Sequence, residues 1–300
     1  MQRVSRREFL DSALAAAAFT ALSRTPAIDA AENRPTLVPK FGMVTYQWGN
    51  DWDLPTLLGN CIQTKVLGVE LRTTHAHGVE PKLNELERKE VRKRFADSPV
   101  TLVGLGSAEC FDHVDPAALK KAVEATKEFI RLSHDVGGSG VKVRPNSFHK
   151  EVPREKTIDQ IGRALNELGP FAESLGQQIR LEVHGQCAQL PTIKAIMDIA
   201  VHRSVAVCWN SNAQDLEGEG LEHNFNLVRA RFGGTCHVRE LDTPGYPFQG
   251  LMELLVKTNY NGWVLLEAGS KQADRVAALA RQREYFEKMI EAAKASLAQK

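Results

Sequence analysis

Four residues in the second half of the chain have side chains that can bind a metal ion, at nearly equal spacing. These residues are Glu182, Asn210, His237 and Glu267, at intervals of 28, 27 and 30 positions. Two carboxylates, an imidazole and an amide oxygen form a hard, mixed donor set, which suits Mn²⁺, Mg²⁺, Co²⁺ or Zn²⁺ better than soft metals. The carboxylates can also act as bases, and a metal can stabilise an enediolate. The pattern predicts one metal site with proton-transfer chemistry.

Each of these residues lies near the end of a short apolar run, and four similar runs precede them. The earlier runs are Phe41–Trp48, Gly68–Arg72, Thr101–Ala108 and Gly140–Pro145, and the later ones are Ile179–Gly185, Val205–Asn210, Thr235–Leu241 and Gly262–Ala268. Such runs, rich in Val, Leu and Ile, are typical of strands buried on both faces. The intervals match one strand–helix–strand unit, so the strand ends should meet at one rim of a parallel barrel.

Helix-like stretches alternate with these runs. They are Leu83–Asp97, Ala117–Asp135, Pro153–Leu175, Pro191–Val201, Leu221–Arg231, Gln249–Thr258 and Gln272–Gln299. Eight strand–helix units predict an α/β fold of the (β/α)8 TIM barrel type, as a single domain over residues 31–300. An open doubly wound sheet would need a glycine-rich loop after an early strand, but Gly137–Gly140 precedes a strand.

Several other charged residues share a strand face with the predicted ligands or with one another. Because side chains alternate along a strand, Glu182 and His184 point to the same face, and so do His237 and Arg239. Glu70 and Lys142, with Arg144, lie near the ends of earlier strands. We expect His184, Arg239, Lys142, Arg144 and Glu70 to bind the substrate. The alternative is an ion pair inside the barrel wall, between Glu70 and either Lys142 or Arg144.

Aromatic residues give weaker signals. Trp48 and Tyr246 are candidates either for stacking on a bound substrate or for ordinary packing. Trp209 and Trp263 are expected in the core between the barrel and its helices.

The first 30 residues resemble an export signal. Ser5–Leu10 contains the twin arginines Arg6 and Arg7, an alanine-rich stretch follows, and Ala30 ends a small-residue segment. This predicts export by the twin-arginine route to the periplasm or another extracytoplasmic compartment. Removing residues 1–30, with four Arg against three acidic residues, changes the net charge from +1 to 0.

The remaining composition excludes several classes of protein. A neutral chain without a basic cluster argues against a nucleic-acid binder. Beyond the signal, no segment approaches the ~20 apolar residues of a membrane helix. The five cysteines have neither CxxC spacing nor the density of a disulfide scaffold, which favours buried thiols. The sequence allows a homo-oligomer without predicting one.

The chain resembles the xylose isomerase-like barrel superfamily from about Phe41 onward. The resemblance rests on Leu181–Gly185 (LEVHG), the Cys208–Asn210 strand end, His237–Arg239 and Leu266-Glu267. In ketose 3-epimerases of this superfamily, Glu, Asp, His and Glu hold a divalent ion, and the glutamates exchange protons with the substrate. The resemblance implies these roles for Glu182, Asn210, His237 and Glu267, with Glu182 and Glu267 as the catalytic acid and base. Ala213 stands where the three-zinc endonuclease relatives need a histidine.

Asn210 departs from the family pattern, because asparagine lacks the negative charge of aspartate. Three hypotheses follow: a metal is bound more weakly, Asn212 or Asp242 completes the ligand set, or the site has lost its metal. We expect a sugar isomerase or epimerase acting on a keto-sugar or cyclitol through an enediolate. A dehydratase or lyase using the same intermediate and a non-catalytic carbohydrate-binding barrel are the alternatives.

Overall fold

The computed structural model describes residues 37–298, and eight parallel strands in these residues form a closed barrel. The predicted export signal lies outside the described residues. The strands are β1 Lys40–Val44, β2 Gly68–Arg72, β3 Thr101–Cys110, β4 Gly140–Arg144, β5 Gln178–Glu182, β6 Val205–Asn210, β7 Phe232–Val238 and β8 Trp263–Leu266. Strand β1 pairs with β8, from Lys40 opposite Trp263 to Met43 opposite Leu266, and this pairing closes the barrel. The predicted (β/α)8 TIM barrel is confirmed.

The described residues also form eight α-helices, which alternate with the strands. They are α1 Leu54–Thr64, α2 Glu85–Ala96, α3 Pro116–Val136, α4 Arg154–Ser174, α5 Leu190–Ile199, α6 Leu221–Val228, α7 Phe248–Lys257 and α8 Arg275–Ala298. Helix α1 is missing from the seven predicted stretches. Its start is nevertheless encoded locally, since the Asp53 carboxylate accepts a hydrogen bond from the Thr56 amide and a proline opens the helix. No helix of residues 37–298 is long and apolar enough to cross a membrane.

The main core lies between the strands and the helices. Trp209 is fully buried there and packs edge-on against Phe225 and Phe232, as expected. Cys61, Cys187, Cys208 and Cys236 are buried and, like Cys110, free, which confirms the interpretation of the cysteines as thiols rather than a disulfide scaffold.

The prediction that Trp263 lies in the core between the barrel and its helices is wrong. It lies four residues before Glu267, so both side chains share the inner face of β8. Trp263 packs inside the barrel against Val44, Val103 and Leu265. Gly68 on β2 makes room for the ring, because a Cβ at Gly68 would lie 2.3 Å from it. The indole therefore fills the barrel interior below the charged residues.

Several predicted strands extend too far at their carboxyl ends. Strand β1 stops at Val44, β5 at Glu182 and β8 at Leu266, whereas the predicted runs continue through Trp48, Gly185 and Ala268. The chain leaves the sheet at these points and forms loops at the rim. Residues of these loops, together with the last residues of β2, β4, β5 and β6, surround the candidate site.

Candidate active site

The predicted ligands from β5, β7 and β8 meet in the barrel interior. One ligand atom from each of Glu182, His237 and Glu267 lies within 4.8 Å of the other two. Glu182 is the last residue of β5, and His237 lies on β7 opposite Asn210 of β6. Glu267 follows β8 directly, and its amide donates to the Val238 carbonyl at 2.7 Å. Parallel strand pairing thus brings together side chains far apart in sequence.

His237 is completely buried between two carboxylates. Its Nε2 lies 3.3 Å from Oε1 of Glu70, and its Nδ1 lies 3.6 Å from Oε1 of Glu182. Neither ring nitrogen has a hydrogen-bond partner among the described residues. Burial by itself would lower the pKa of His237, but the Cys208 sulfur and these two carboxylates raise it well above its usual value. Glu70 is positioned to orient the imidazole, as carboxylates behind metal-binding histidines do.

Lys142 pairs with Glu182 rather than with Glu70. The Nζ atom of Lys142 lies 2.9 Å from Oε2 of Glu182, and the two side chains are only 3% and 1% exposed. The alternative considered for Glu70, an ion pair with Lys142 or Arg144, is not formed, because Glu70 instead contacts His237. A buried ammonium needs a partner of opposite charge, and Glu182 supplies it.

The two predicted catalytic glutamates have pKa values shifted in opposite directions. Burial would raise the pKa of Glu182, but the charge of Lys142 and the contact with His237 lower it well below its usual value. Burial and the neighbouring Glu182 carboxylate raise the pKa of Glu267. Two carboxyl groups separated in this way can act as a base and an acid in one reaction.

Asn210 lies beside this cluster but has its amide nitrogen toward Glu182. Its Nδ2 donates to Oε1 of Glu182 at 2.8 Å, and the residue is 5% exposed. Asn212 donates to the carbonyls of Val183 and Asn210 and lines the cavity at the barrel mouth that is described below. Asp242, the other substitute ligand considered, accepts from Gln282 of α8 and does not line the cavity.

Three of the four predicted ligands fit a divalent ion. Glu182, His237 and Glu267 supply two carboxylates and an imidazole with unpartnered buried nitrogens. The fourth position departs from the family pattern, since the Asn210 amide replaces a carboxylate and the Lys142 ammonium lies nearby. Three side chains can still ligate a metal, as in sites with three protein ligands and an open position.

A cavity of about 400 Å³ opens above these residues at the barrel mouth. The predicted substrate-binding residues Lys142, Arg144, His184 and Arg239 all line it, whereas Glu70 lies deeper, behind His237. Burial lowers the pKa of His184, and Arg144 and Lys142 add to this shift. A larger groove of about 840 Å³ between α3 and α4 lies outside the barrel and contains none of the predicted residues.

The aromatic lining differs from the expectation. Trp48 is buried and donates its indole N–H to the Ser270 carbonyl, while the Tyr246 hydroxyl donates to Asp215. Both therefore pack rather than face the cavity, and Tyr46 lines it instead. Sequence reasoning missed Tyr46 and Gln214 as lining residues, whereas Arg72, which shares a strand face with Glu70, was a candidate and lines the cavity.

Arg180 is a further buried charge that the sequence reasoning missed. It lies two residues before Glu182, so it points into the barrel one layer below the site. Its guanidinium donates to the Val103 carbonyl and to Ser139, and Gly104 and Gly140 leave room for it. The period of two counted back from Glu182 was the signal that could have found it.

Comparisons with known proteins agree with this fold. The chain belongs to the xylose isomerase-like TIM barrel family, whose model matches residues 63–289. No curated protein sequence matches the chain.

Solved structures resemble the chain over most of its length. An L-ribulose 3-epimerase is 16% identical with a TM-score of 0.73, covering 87% of this chain and 98% of its own. The IolI protein with a bound zinc atom is 15% identical with a TM-score of 0.72, covering 84% and 98%. A 3-keto-D-glucoside 4-epimerase, YcjR from E. coli, is 14% identical with a TM-score of 0.70, covering 83% and 99%. At these identities the likeness concerns the fold.

Proposed function

We propose that this protein is a sugar isomerase or epimerase that moves a proton next to a carbonyl group. The observation that carries the proposal is geometric: Glu182 and Glu267 line one cavity, and their ligand atoms and that of His237 lie within 4.8 Å of one another. The epimerases among the similar structures support the same class of reaction.

In the proposed reaction, the ionised Glu182 carboxylate removes the proton from the carbon next to the carbonyl. Lys142 keeps Glu182 ionised through the 2.9 Å ion pair. Glu267, which lines the same cavity, returns a proton to the resulting enediolate from its protonated form. Donation to the opposite face of the same carbon gives epimerisation, and donation to the neighbouring carbon gives isomerisation. Solvent then restores the two protonation states.

Glu182, His237 and Glu267 are the residues that would hold a divalent ion, with Asn210 as a weak fourth contact. When bound, the ion would polarise the substrate carbonyl and make the adjacent C–H more acidic. Glu70 would keep the His237 imidazole in its orientation through the 3.3 Å contact.

Exchange of hydrogen between substrate and heavy water tests this proposal. D-fructose, D-tagatose, L-ribulose and their acidic derivatives would be incubated with the protein and Mn²⁺, and loss of the C–H signal followed by proton NMR. We expect exchange by the wild-type protein and at least about a hundred-fold less for Glu182→Gln and Glu267→Gln. The exposed Glu219→Gln serves as the control.

The products of the same experiment separate the alternatives. Exchange with a new ketose or aldose supports an isomerase or epimerase, and exchange with loss of water indicates a dehydratase. Binding of a sugar without any exchange would contradict the catalytic proposal and indicate a carbohydrate-binding barrel.

We also propose that the protein acts outside the cytoplasm, which rests on the twin-arginine pattern at Ser5–Leu10. Cell fractionation of the wild-type protein and of a variant with Arg6 and Arg7 both changed to Lys checks this. Equal cytoplasmic retention of both proteins would contradict it.

A further inference from the structure

Three arginines from separate strand ends line the mouth of the cavity. Arg72 ends β2, Arg144 ends β4, and Arg239 follows β7. Within residues 37–298, none of the three lies within 4.0 Å of a carboxylate. Other arginines of the protein do have such partners, for example Arg88 with Asp135 and Arg275 with Asp51. Arg92 and Arg281 likewise have no carboxylate partner among the described residues, but they are exposed on helices, whereas these three converge on one cavity.

The contacts of these arginines hold them in place without neutralising them. The Arg72 guanidinium lies over the Tyr46 ring, 5.3 Å from its centre. Arg144 donates one N–H to the Ala108 carbonyl at 2.7 Å, while its buried Nε has no partner among the described residues. The backbone of Arg239 is fixed by its amide donating to the Ser211 hydroxyl. Each guanidinium therefore keeps N–H groups available for a ligand.

The charges around the cavity do not balance. Arg72, Lys142, Arg144 and Arg239 face only two lining carboxylates, Glu182 and Glu267. The ion pair of Lys142 with Glu182 cancels one charge of each sign, so three guanidinium groups face one carboxyl group. The whole chain has a formal net charge of only +1, so this excess is concentrated where a substrate would enter.

We infer that the substrate carries an acidic group, a carboxylate or a phosphate, which these arginines bind at the barrel mouth. This inference rests on the proposed function for its assignment of the reacting end. A neutral sugar would offer these guanidinium groups no counter-charge, whereas an anionic oxygen pair matches their planar donor geometry. The excess positive charge at the barrel mouth also attracts an anionic substrate as it approaches the protein. The acidic end lies against the arginines, with the carbonyl end toward Glu182 and Glu267.

Binding measured by isothermal titration calorimetry tests the inference. The probes are D-fructose, D-fructuronate and D-fructose 6-phosphate, which share a six-carbon ketose chain and differ in their acidic group. We expect one or both acidic probes to bind at least about ten-fold more tightly than D-fructose. The difference should shrink when sodium chloride rises from about 20 to about 200 mM, because exposed charges are screened. The tighter acidic probe separates a carboxylate substrate from a phosphate substrate.

Variants assign the effect to the arginines. Arg144→Gln and Arg239→Gln should each reduce the ratio of acidic to neutral affinity about ten-fold. Arg203→Gln is the matched control, since Arg203 is exposed and precedes β6 at the opposite end of the barrel. Equal affinities for the three probes, or a preference that survives both variants, would overturn the inference.

The two proposals fail separately in these experiments. Acid-selective binding without deuterium exchange would overturn the proposed function and leave this inference standing. Exchange on D-fructose without any acid preference would do the reverse.

Discussion

Glu182 and Glu267 have the same side chain and line the same cavity, but their surroundings shift their pKa values in opposite directions. Lys142 contacts Glu182 directly, and this positive charge outweighs the effect of burial on the Glu182 pKa. Glu267 follows β8 without such a contact, and burial beside the Glu182 charge raises its pKa. At residue scale, contact with one lysine thus separates the pKa values of two identical side chains.

Asn210 and Lys142 together set the charge available to a metal ion. Asparagine removes one negative charge from the ligand set, and Lys142 adds a positive one within 2.9 Å of Glu182. Both effects oppose the binding of a divalent cation.

We therefore predict that Asn210→Asp and Lys142→Met each raise the affinity for Mn²⁺ about ten-fold or more. Titration calorimetry with Mn²⁺ alone measures this without relying on activity. Asn226→Asp adds the same charge on the exposed face of α6 and should leave the affinity unchanged. Undetectable metal in both the wild-type protein and Asn210→Asp would contradict the three-ligand site.

At the scale of elements, the loop after β5 positions the substrate side of the site. His184 lies in extended backbone, and Gly185 then turns the chain with a φ of +69°. The turn passes so close to the loop after β4 that a Cβ at Gly185 would lie 2.3 Å from the Asn146 carbonyl oxygen. Glycine is thus required by both the backbone conformation and the contact between two rim loops.

Gly185→Ala should consequently destabilise the protein more than Gly218→Ala. Gly218 also has a positive φ, of +62°, but nothing lies within 4 Å of a Cβ built there. Gly218→Ala should cost about 1–2 kcal/mol from backbone strain alone. Gly185→Ala adds a steric clash that typically costs about 1–3 kcal/mol. Urea denaturation measures both, and equal losses would show that the rim loops yield without cost.

At the scale of the whole molecule, the barrel interior is layered. Trp263 and its apolar neighbours fill one level, Arg180 lies one layer below the acidic residues, and the buried acidic and basic groups surround the cavity. A charged interior costs stability unless each charge is partnered. For Asp215, that cost is expressed as a raised pKa.

Asp215 is completely buried near the barrel mouth, and burial raises its pKa to about 7. Its Oδ2 accepts from the Tyr246 hydroxyl and the Asn212 amide, but Oδ1 has no partner in residues 37–298. In the unfolded chain the same carboxyl group has the ordinary aspartate pKa of 3.8. Between these two pKa values only the unfolded state has lost the proton, so the free energy of unfolding falls as pH rises.

We predict that this contribution amounts to about 1.4 kcal/mol per pH unit from about pH 5 to 7, and that it levels off above about pH 7. Asp215→Asn should remove this part of the slope because an amide does not titrate. Its oxygen can still accept both hydrogen bonds, so the local structure should be kept. The exposed Asp198→Asn is the control. Urea denaturation at several pH values measures the difference between variant and wild-type slopes. Parallel slopes would contradict the assignment to Asp215.

The sequence by itself determined the barrel, because periodicity and spacing report directly on alternation of strands and helices. Eight apolar runs predicted the eight strands. The alternation rule predicted that Glu182 and His184 share one strand face, as do His237 and Arg239. The predicted lining by Lys142, Arg144, His184 and Arg239 followed from the same rule.

Only the tertiary structure decided which charges neutralise one another. Strand positions do not show that Lys142 reaches Glu182 while Glu70 reaches His237, because both outcomes satisfy the same facing pattern. The facing of Trp263 was available from its even spacing to Glu267, but its contacts with β1 and β3 required barrel closure. Pairing across a closed barrel depends on register between neighbouring strands, which local sequence does not encode. The four evenly spaced ligand residues thus became a site whose charge balance is set by Lys142, Asn210 and three unpaired arginines.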